Sequence, residues 1–175
     1  MYLLRWPDDL RFPEQRKRIE EYHRYLETPR VRRQFPERAL EFALAPWHYD
    51  PQDHRCPHDA WVESVTISEP SSGERHQVRS LEIRIEPLGP YHDGRIRIAY
   101  PGVRRYSLFQ PLDHGPHHPK LRGHGDWVVD QITSAGRGSN GPPIVLHEIV
   151  FSNDAVWTIE SEDIVYEWIP NEAKG

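Results

Sequence analysis

The chain contains a single cysteine and no long hydrophobic run. These two features exclude a disulfide-stabilised fold and a membrane-spanning helix. Cys56 is alone among 175 residues and has no partner for an intramolecular disulfide. Charged residues or prolines interrupt every apolar stretch, so none reaches the roughly 18 apolar residues that a membrane span requires. The apolar run after Met1 is also too short for a secretory signal. The sequence therefore predicts a cytoplasmic protein that does not enter the membrane.

The sequence also lacks the short motifs that identify common enzyme classes. It has no His-Glu-x-x-His pattern, no Gly-x-Ser-x-Gly pattern and no Walker lysine beside the glycine-rich stretch 136–141. Cys56 lies near His54 and His58, which would lower its pKa, but no Asn or Asp partner is evident and a buried, inert thiol is favoured. No catalytic residue is assigned, and a function without catalysis is favoured.

Charge is distributed unevenly along the chain, whose formal net charge is -5. Residues 1–45 contain ten Lys or Arg and eight Asp or Glu, a net charge of +2, whereas residues 46–175 contain 12 and 19, a net charge of -7. An acidic body repels phosphates, so nucleic acid is not expected as a partner. Around Arg16 and Arg18, interleaved glutamates predict ion pairs on a solvated helix face.

The length and composition predict one folded domain over residues 1–175. Hydrophobic residues make up 37% and charged residues 28%, with six Trp and eight Tyr, which is typical of globular proteins. The pattern divides this domain into a helical N-terminal segment, residues 1–45, and a β-rich body, residues 46–175. An appendage of helices is thus expected to pack against a larger β-structure.

Two helices are predicted in the N-terminal segment. The first follows Pro13 and carries apolar residues at helical spacing before the Thr28-Pro29 pair ends it. The second begins at Pro36 and ends before Pro46. Each helix has one apolar stripe that must be buried against another element.

From Ala60 onward the apolar residues follow a period of two, which predicts β-strands. Asp93-Gly94 predicts a tight hairpin turn, because both residue types tolerate positive φ. The fold class is therefore α+β, with the two helices packed on a predominantly antiparallel sheet that is strongly curved or closed into a barrel. About eight strands are expected, at residues 60–68, 81–86, 95–100, 103–109, 127–132, 144–151, 155–160 and 164–169, with long loops at 110–123 and 134–143.

Histidines and aspartates stand at the ends of several predicted strands. Sequential antiparallel strands alternate in direction, so every second connection lies at the same end of the sheet. A simple meander therefore brings these residues to one rim. They are His58 and Asp59, His92 and Asp93, His124 and Asp126, Asp154, and the loop residues His114, His117 and His118.

Imidazole and carboxylate groups are good ligands for Zn, Mn, Ni or Fe, so the rim is a candidate site for a divalent transition metal. No other cofactor is expected. The alternative, which is favoured, is that the aspartates cap turns while the histidines pack beside them. The six candidate ligands are His58, Asp59, His92, Asp93, His124 and Asp126.

Aromatic residues near the same rim are candidates for contact with a partner. Most of the six tryptophans are expected in the core or on a sheet face, but any that remains exposed is a natural interface anchor. Trp61, Trp127 and Asp154 are the residues predicted to bind a partner here.

One segment supports a specific class of partner: Pro57-His58-Asp59-Ala60-Trp61-Val62-Glu63-Ser64-Val65-Thr66-Ile67. It resembles the His-Asp-small strand opening of small uncharacterised bacterial β-rich proteins, some of which are assigned as immunity proteins for polymorphic toxins. Segments 91–94, 100–103 and 146–149 look similar to the same kind of sequence, and the resemblance covers roughly residues 57–170. It implies a cytoplasmic binding protein without catalysis, and the acidic body suits a basic partner such as a nuclease toxin.

Three functions are distinguished by what each requires. A binding module of immunity type requires an exposed acidic or aromatic surface. A metal-binding protein or metal-dependent hydrolase requires at least three of the named side chains within about 2.0 to 2.2 Å of one ion. A small-ligand-binding barrel requires an apolar cavity. The oligomeric state is undetermined, because the pattern does not identify the outermost strands.

Overall fold

The computed structural model describes residues 12–110, 123–137 and 141–171, and these ranges form an α+β structure of helices and antiparallel strands. The helices are α1 (Phe12–Glu27), α2 (Pro29–Arg32) and α3 (Glu37–Leu44). The strands are β1 (Trp61–Ser68), β2 (Ser71–Ser72), β3 (Val78–Arg79), β4 (Glu82–Leu88), β5 (Gly94–Tyr100), β6 (Arg105–Phe109), β7 (Trp127–Arg137), β8 (Pro143–Phe151), β9 (Val156–Ser161) and β10 (Val165–Pro170).

Both predicted helices are present, as α1 and α3. The short helix α2 was not predicted, although Pro29 at its first turn fits a helix start because the missing N–H is not needed there. On α1, Arg16 Nε lies 3.3 Å from Glu20 Oε1, and both side chains are exposed, which confirms the solvated ion-paired face. Within the described ranges, no helix has the length and apolar character needed to cross a membrane.

The strands form two four-stranded sheets and one two-stranded ribbon. The first sheet has the order β1-β4-β5-β10, the second the order β6-β9-β8-β7, and β2 pairs with β3. All eight predicted strands are present, but a single meander is wrong, because β6 pairs with β9 and β10 returns to pair with β5. None of these sheets closes into a barrel, so that alternative is not confirmed. The two strands that were not predicted, β2 and β3, are two residues long and too short to show an alternating pattern.

One hydrophobic core joins the inner faces of both sheets to the helices. Alternate residues of β5 and β8 are buried, as the period of two requires. The helices add Tyr22 and Leu26 from α1 and Phe42 from α3. Each large side chain of this kind stabilises the fold by about 1.5 to 3 kcal/mol when fully buried.

The hairpin between β4 and β5 differs in detail from the prediction. Its left-handed residue is His92, with φ of 58°, and not Gly94. Five residues, 89–93, connect the two strands, and the N–H of Gly89 donates to the carbonyl oxygen of Gly94 at 3.0 Å. Glycine is required at position 94 for another reason: a Cβ there would overlap the Trp168 ring of β10 and lie 2.8 Å from the carbonyl oxygen of Ile169. Packing against a distant strand, and not turn geometry, explains this glycine.

Candidate functional site

Four loops meet at one end of the two sheets and form a surface that we call the rim, comprising residues 50–61, 89–93, 123–126 and 152–155. Backbone hydrogen bonds join the first segment to the start of β7 and the fourth segment to the third: Asp59 N–H donates to Trp127 O, and Ser152 N–H donates to Asp126 O, both at 2.9 Å. The Tyr91 hydroxyl donates to Pro51 O, also at 2.9 Å, and ties the β4–β5 hairpin to the segment before β1. The histidine- and aspartate-bearing segments are thus neighbours.

Within the rim, the histidines and aspartates contact different partners. Asp93 accepts a hydrogen bond from His54, whereas the ring of its neighbour His92 packs edge-on against Trp61, with centroids 4.5 Å apart. His58 Nε2 lies 3.6 Å from Asp59 Oδ1, and its Nδ1 donates to the carbonyl oxygen of Val128 at 2.8 Å. His92 and Asp93 therefore have separate partners, whereas His58 and Asp59 lie within ion-pair distance of each other.

His124 and Asp126 are also held by separate contacts. The His124 ring lies edge-on to Trp157 with centroids 4.6 Å apart, and burial lowers the pKa of His124 below its ordinary value. The Asp126 N–H donates to the Ser152 hydroxyl at 2.9 Å. Asp59 and Asp154 adopt left-handed backbone conformations, each with φ of 65°, which is common for aspartate in turns.

The rim side chains do not converge on a common point. Across residues 12–110, 123–137 and 141–171, no three His, Cys, Asp or Glu side chains are grouped so that they could hold one ion. His114, His117 and His118 lie outside the described residues. Metal binding by His58, Asp59, His92, Asp93, His124 and Asp126 therefore stays a prediction.

Two aromatic side chains of the rim are exposed. Trp61 is 41% exposed and Tyr91 is 49% exposed. His92 packs against the first ring, and His54 stacks on the second with centroids 4.2 Å apart. Trp127, which was predicted to contact a partner, is only 1% exposed, because its indole belongs to the core. Its side chain offers no surface to a partner.

The rim is acidic. Its four loops contain six carboxylates and one guanidinium group, which gives a formal net charge of -5 with neutral histidines. Asp53 forms a two-point ion pair with the one arginine, Arg55, and this contact lowers the pKa of Asp53 to about 2. The six carboxylates belong to Asp50, Asp53, Asp59, Asp93, Asp126 and Asp154.

The best-organised acid–base group lies in the core and not at the rim. Oδ2 of Asp130 on β7 lies 2.9 Å from Nε2 of His48 and 2.9 Å from Nε2 of His147. Its Oδ1 accepts a hydrogen bond from Trp127 Nε1 at 3.0 Å. The Tyr100 hydroxyl lies 2.8 Å from His147 Nδ1 and extends this network to β5. We call these five residues the Asp130 network.

Hydrogen-bond partners determine where the protons of this network lie. His48 Nδ1 is 2.9 Å from the carbonyl oxygen of Phe42, which only accepts, so this nitrogen must carry a proton. Burial alone would raise the pKa of Asp130, but the charge and hydrogen bonds of His48 and His147 outweigh burial and hold that pKa below its ordinary value. With Asp130 ionised, both ring nitrogens of His48 lie 2.9 Å from hydrogen-bond acceptors.

The Asp130 network is inaccessible to a substrate. The side chains of His48 and His147 have no exposed area, and that of Asp130 is 3% exposed. The contacts of the Asp130 network instead join the segment before β1 to strands from both sheets. His147 is buried, whereas its neighbour Glu148 on β8 is partly exposed. The contact between His48 and Asp130 was not predicted from the sequence. The only signal for it was the position of Asp130, a carboxylate inside the apolar run 127–132, where a buried charge needs a partner.

Cys56 is inert, as predicted. It is 1% exposed, and its thiol donates to the carbonyl oxygen of His48 at 3.1 Å. Burial raises the pKa of this thiol to about 12, so the reactive thiolate is not populated near neutral pH.

Two surface clefts bear on the small-ligand hypothesis. One, of about 420 Å³, lies between α3 and β10 and is lined in part by Phe42, Trp47 and Tyr166. The other, of about 370 Å³, is lined in part by Gly102 and Glu162. Both are open to solvent, unlike the enclosed apolar cavity that a small-ligand barrel requires.

No protein-family model matches the chain, and comparisons with curated proteins and with solved structures likewise found no match. The function must therefore be inferred from the residues and contacts of this chain.

Proposed function

We propose that the chain is a non-catalytic protein-binding module of the immunity type, which acts in the bacterial cytoplasm and contacts a basic protein partner through the rim. One observation carries the proposal: Trp61 and Tyr91 are 41% and 49% exposed among the carboxylates of a surface with formal net charge -5. Exposed tryptophan and tyrosine are the residues that most often dominate binding energy at protein interfaces.

The two aromatic rings are held in position before any partner binds. Trp61 is supported by the edge of His92 and by a β-bridge between its backbone and Asp126. Tyr91 is supported by the stacked ring of His54 and by its own hydroxyl, which is bonded to Pro51 O. Because these side chains are already ordered, binding costs less conformational entropy than it would for free rotamers.

The charge of the rim determines the kind of partner. Asp154 and Asp59 are exposed in turns, and only one guanidinium group lies in the four loops to offset the six carboxylates. Such a surface attracts a basic protein and accelerates association, and the effect weakens as salt screens the charges. A nuclease toxin is a basic protein because it must bind phosphates, so it fits this surface.

A catalytic role has less support. The rim histidines are engaged in packing or pairwise contacts, and the Asp130 network is sealed within the core. A binding module needs only the geometry and charge of the surface.

The test is affinity capture from lysate of the source cell, with wild-type protein and two variants as bait. Trp61→Ala should weaken binding of the captured partner by at least about 30-fold, the effect expected of an interface hot spot. Ile67→Ala is the matched control, because Ile67 lies on the same strand, is 44% exposed and is outside the rim. The partner should be basic, and its affinity should decrease with added salt. Equal capture by wild type and Trp61→Ala would contradict the proposal.

Co-expression separates the immunity function from binding alone. Expression of the captured partner should inhibit growth, and the wild-type chain should restore growth while Trp61→Ala should not. A partner that binds through the rim but is harmless to cells would support a binding module and refute the immunity type.

A further inference from the structure

The outer strands of the two sheets differ in how they are protected. The outer strands are β1 and β10 in the first sheet and β6 and β7 in the second. An outer strand presents unpaired N–H and C=O groups, and proteins normally protect such an edge with a covering element, a charge or a bulge. Within the described residues, three of these four strands are covered by another element or carry a bulge.

Two tyrosine hydroxyls protect β7. The hydroxyl of Tyr22 donates to Ile132 O at 2.6 Å and accepts from Ile132 N–H at 2.9 Å, so it replaces a neighbouring strand at that residue. The hydroxyl of Tyr49 donates to Asp130 O at 3.3 Å. The edge of β7 is therefore occupied by side chains from the N-terminal part of the chain.

The two outer strands of the first sheet are protected by other means. Helix α3 packs on β10, where the Phe42 ring stacks on Tyr166 with centroids 4.9 Å apart. In β1 the pairing register shifts between Val62 and Ser64, and Glu63 at that irregularity forms an ion pair of 2.8 Å with Arg95. Bulges and charges both discourage pairing with another strand.

Among the described residues, strand β6 has no covering element and no bulge, and its one charged residue, Arg105, lies at its first position and pairs with Glu160. Its register with β9 is regular over all five residues, and four consecutive residues, 106–109, are uncharged. Tyr106 is 41% exposed and Phe109 is 57% exposed, and Val156, opposite Phe109 on β9, is 36% exposed. Among the described elements, β9 is the only one that makes extensive contacts with β6. One edge and a small apolar surface are thus available together.

We propose that β6 pairs antiparallel with β6 of a second copy of this chain, about a twofold axis at Ser107, so that two four-stranded sheets join into one of eight strands. In this register Tyr106 faces Leu108 of the second copy on one side of the sheet. On the other side Arg105 faces Phe109 of the second copy, a contact between a cation and an aromatic ring. No two like charges are opposite each other, since Arg105 is the only charged residue of the strand. The sequence of β6 is therefore complementary to itself in the antiparallel direction.

The twofold axis at Ser107 allows a charge test, because any side chain placed there faces its own copy. Ser107 is exposed, so replacing it should leave the fold intact, which thermal unfolding would verify. The wild-type chain should be a dimer by analytical ultracentrifugation. Ser107→Lys and Ser107→Glu should each raise the dimer dissociation constant at least tenfold, because like charges then face each other. An equal mixture of the two variants should recover the dimer, because opposite charges then face each other.

Thr66→Lys is the matched control, since Thr66 is an exposed residue in the middle of β1, the outer strand of the other sheet. This variant should remain a dimer. A wild-type chain that is monomeric at 1 mM (~20 mg/ml) would overturn the proposal. So would dissociation by Thr66→Lys instead of Ser107→Lys, or a mixture of the two Ser107 variants that stays monomeric.

Discussion

Asp130 Oδ2 lies 2.9 Å from His48 Nε2, although the two residues are separated by 82 positions and both are buried. The contact joins the segment before β1 to the second sheet. A buried ion pair of this kind contributes little stability relative to a well-packed apolar pair, but loss of one partner leaves the other unpaired in the core. The Asp130 network therefore makes the position of the segment before β1 specific.

Asp130→Ala should destabilise the protein by about 3 to 5 kcal/mol, because it leaves two imidazoles and the Trp127 indole without their acceptor. Asp130→Asn should cost clearly less. Its amide N–H groups can donate to both Nε2 atoms if His48 and His147 carry their protons on Nδ1. The measurement is urea denaturation at pH 7. Equal losses in the two variants would contradict this account of the hydrogen bonds.

Acid should destabilise the protein in two separate ranges of pH. Burial lowers the pKa of His124, so the neutral imidazole is stable in the fold, and stability decreases as pH falls below the ordinary histidine value of 6.5. The pKa of Asp130 is also lowered, so the stability from its carboxylate is present above about pH 4 and is lost as pH falls below that value. Free energies of unfolding at pH 7, 5 and 3 would show both losses. Asp130→Asn should reduce the lower one, to which Asp53 also contributes, and retain the upper one.

Gly94→Ala should destabilise the fold by about 1 to 3 kcal/mol, because the added Cβ would overlap the Trp168 ring. The backbone at Gly94 is not left-handed, so the loss should come from this overlap and not from turn strain. A double-mutant cycle with Trp168→Leu separates the two causes. The cost of Gly94→Ala should decrease in the Trp168→Leu background but not disappear, because the added Cβ would also lie 2.8 Å from the carbonyl oxygen of Ile169; a cost that persists unchanged would contradict the overlap with the ring.

Tyr22→Phe should destabilise the protein by about 1 to 3 kcal/mol, because it leaves the N–H and C=O of Ile132 unpaired in a buried position. Amide hydrogen exchange at Ile132 should accelerate in the same variant. The matched control is Tyr91→Phe, which removes a hydroxyl that is bonded at the exposed rim. This second change should cost less than the first.

Much of the secondary structure was predictable because local patterns specify it. The alternation of isoleucines with charged residues in β4 and β5 predicts two half-buried strands, and the structure contains both. The glycine at position 94 shows where local reasoning ends. Its Asp-Gly context is typical of a tight turn, yet the Trp168 ring, 74 positions later, is what excludes a side chain there.

The sequence by itself determined the α+β class, the two main helices, the eight longer strands and the acidic charge of the body, because propensity, periodicity and net charge depend only on near neighbours in the chain. Only the tertiary structure decided the division into two sheets, the separate partners of His92 and Asp93, and the convergence of His48 and His147 on Asp130. Those relationships depend on which strands pair and which faces are buried. Such choices are made by long-range packing and by the need to satisfy every buried polar group, and a local pattern does not specify either.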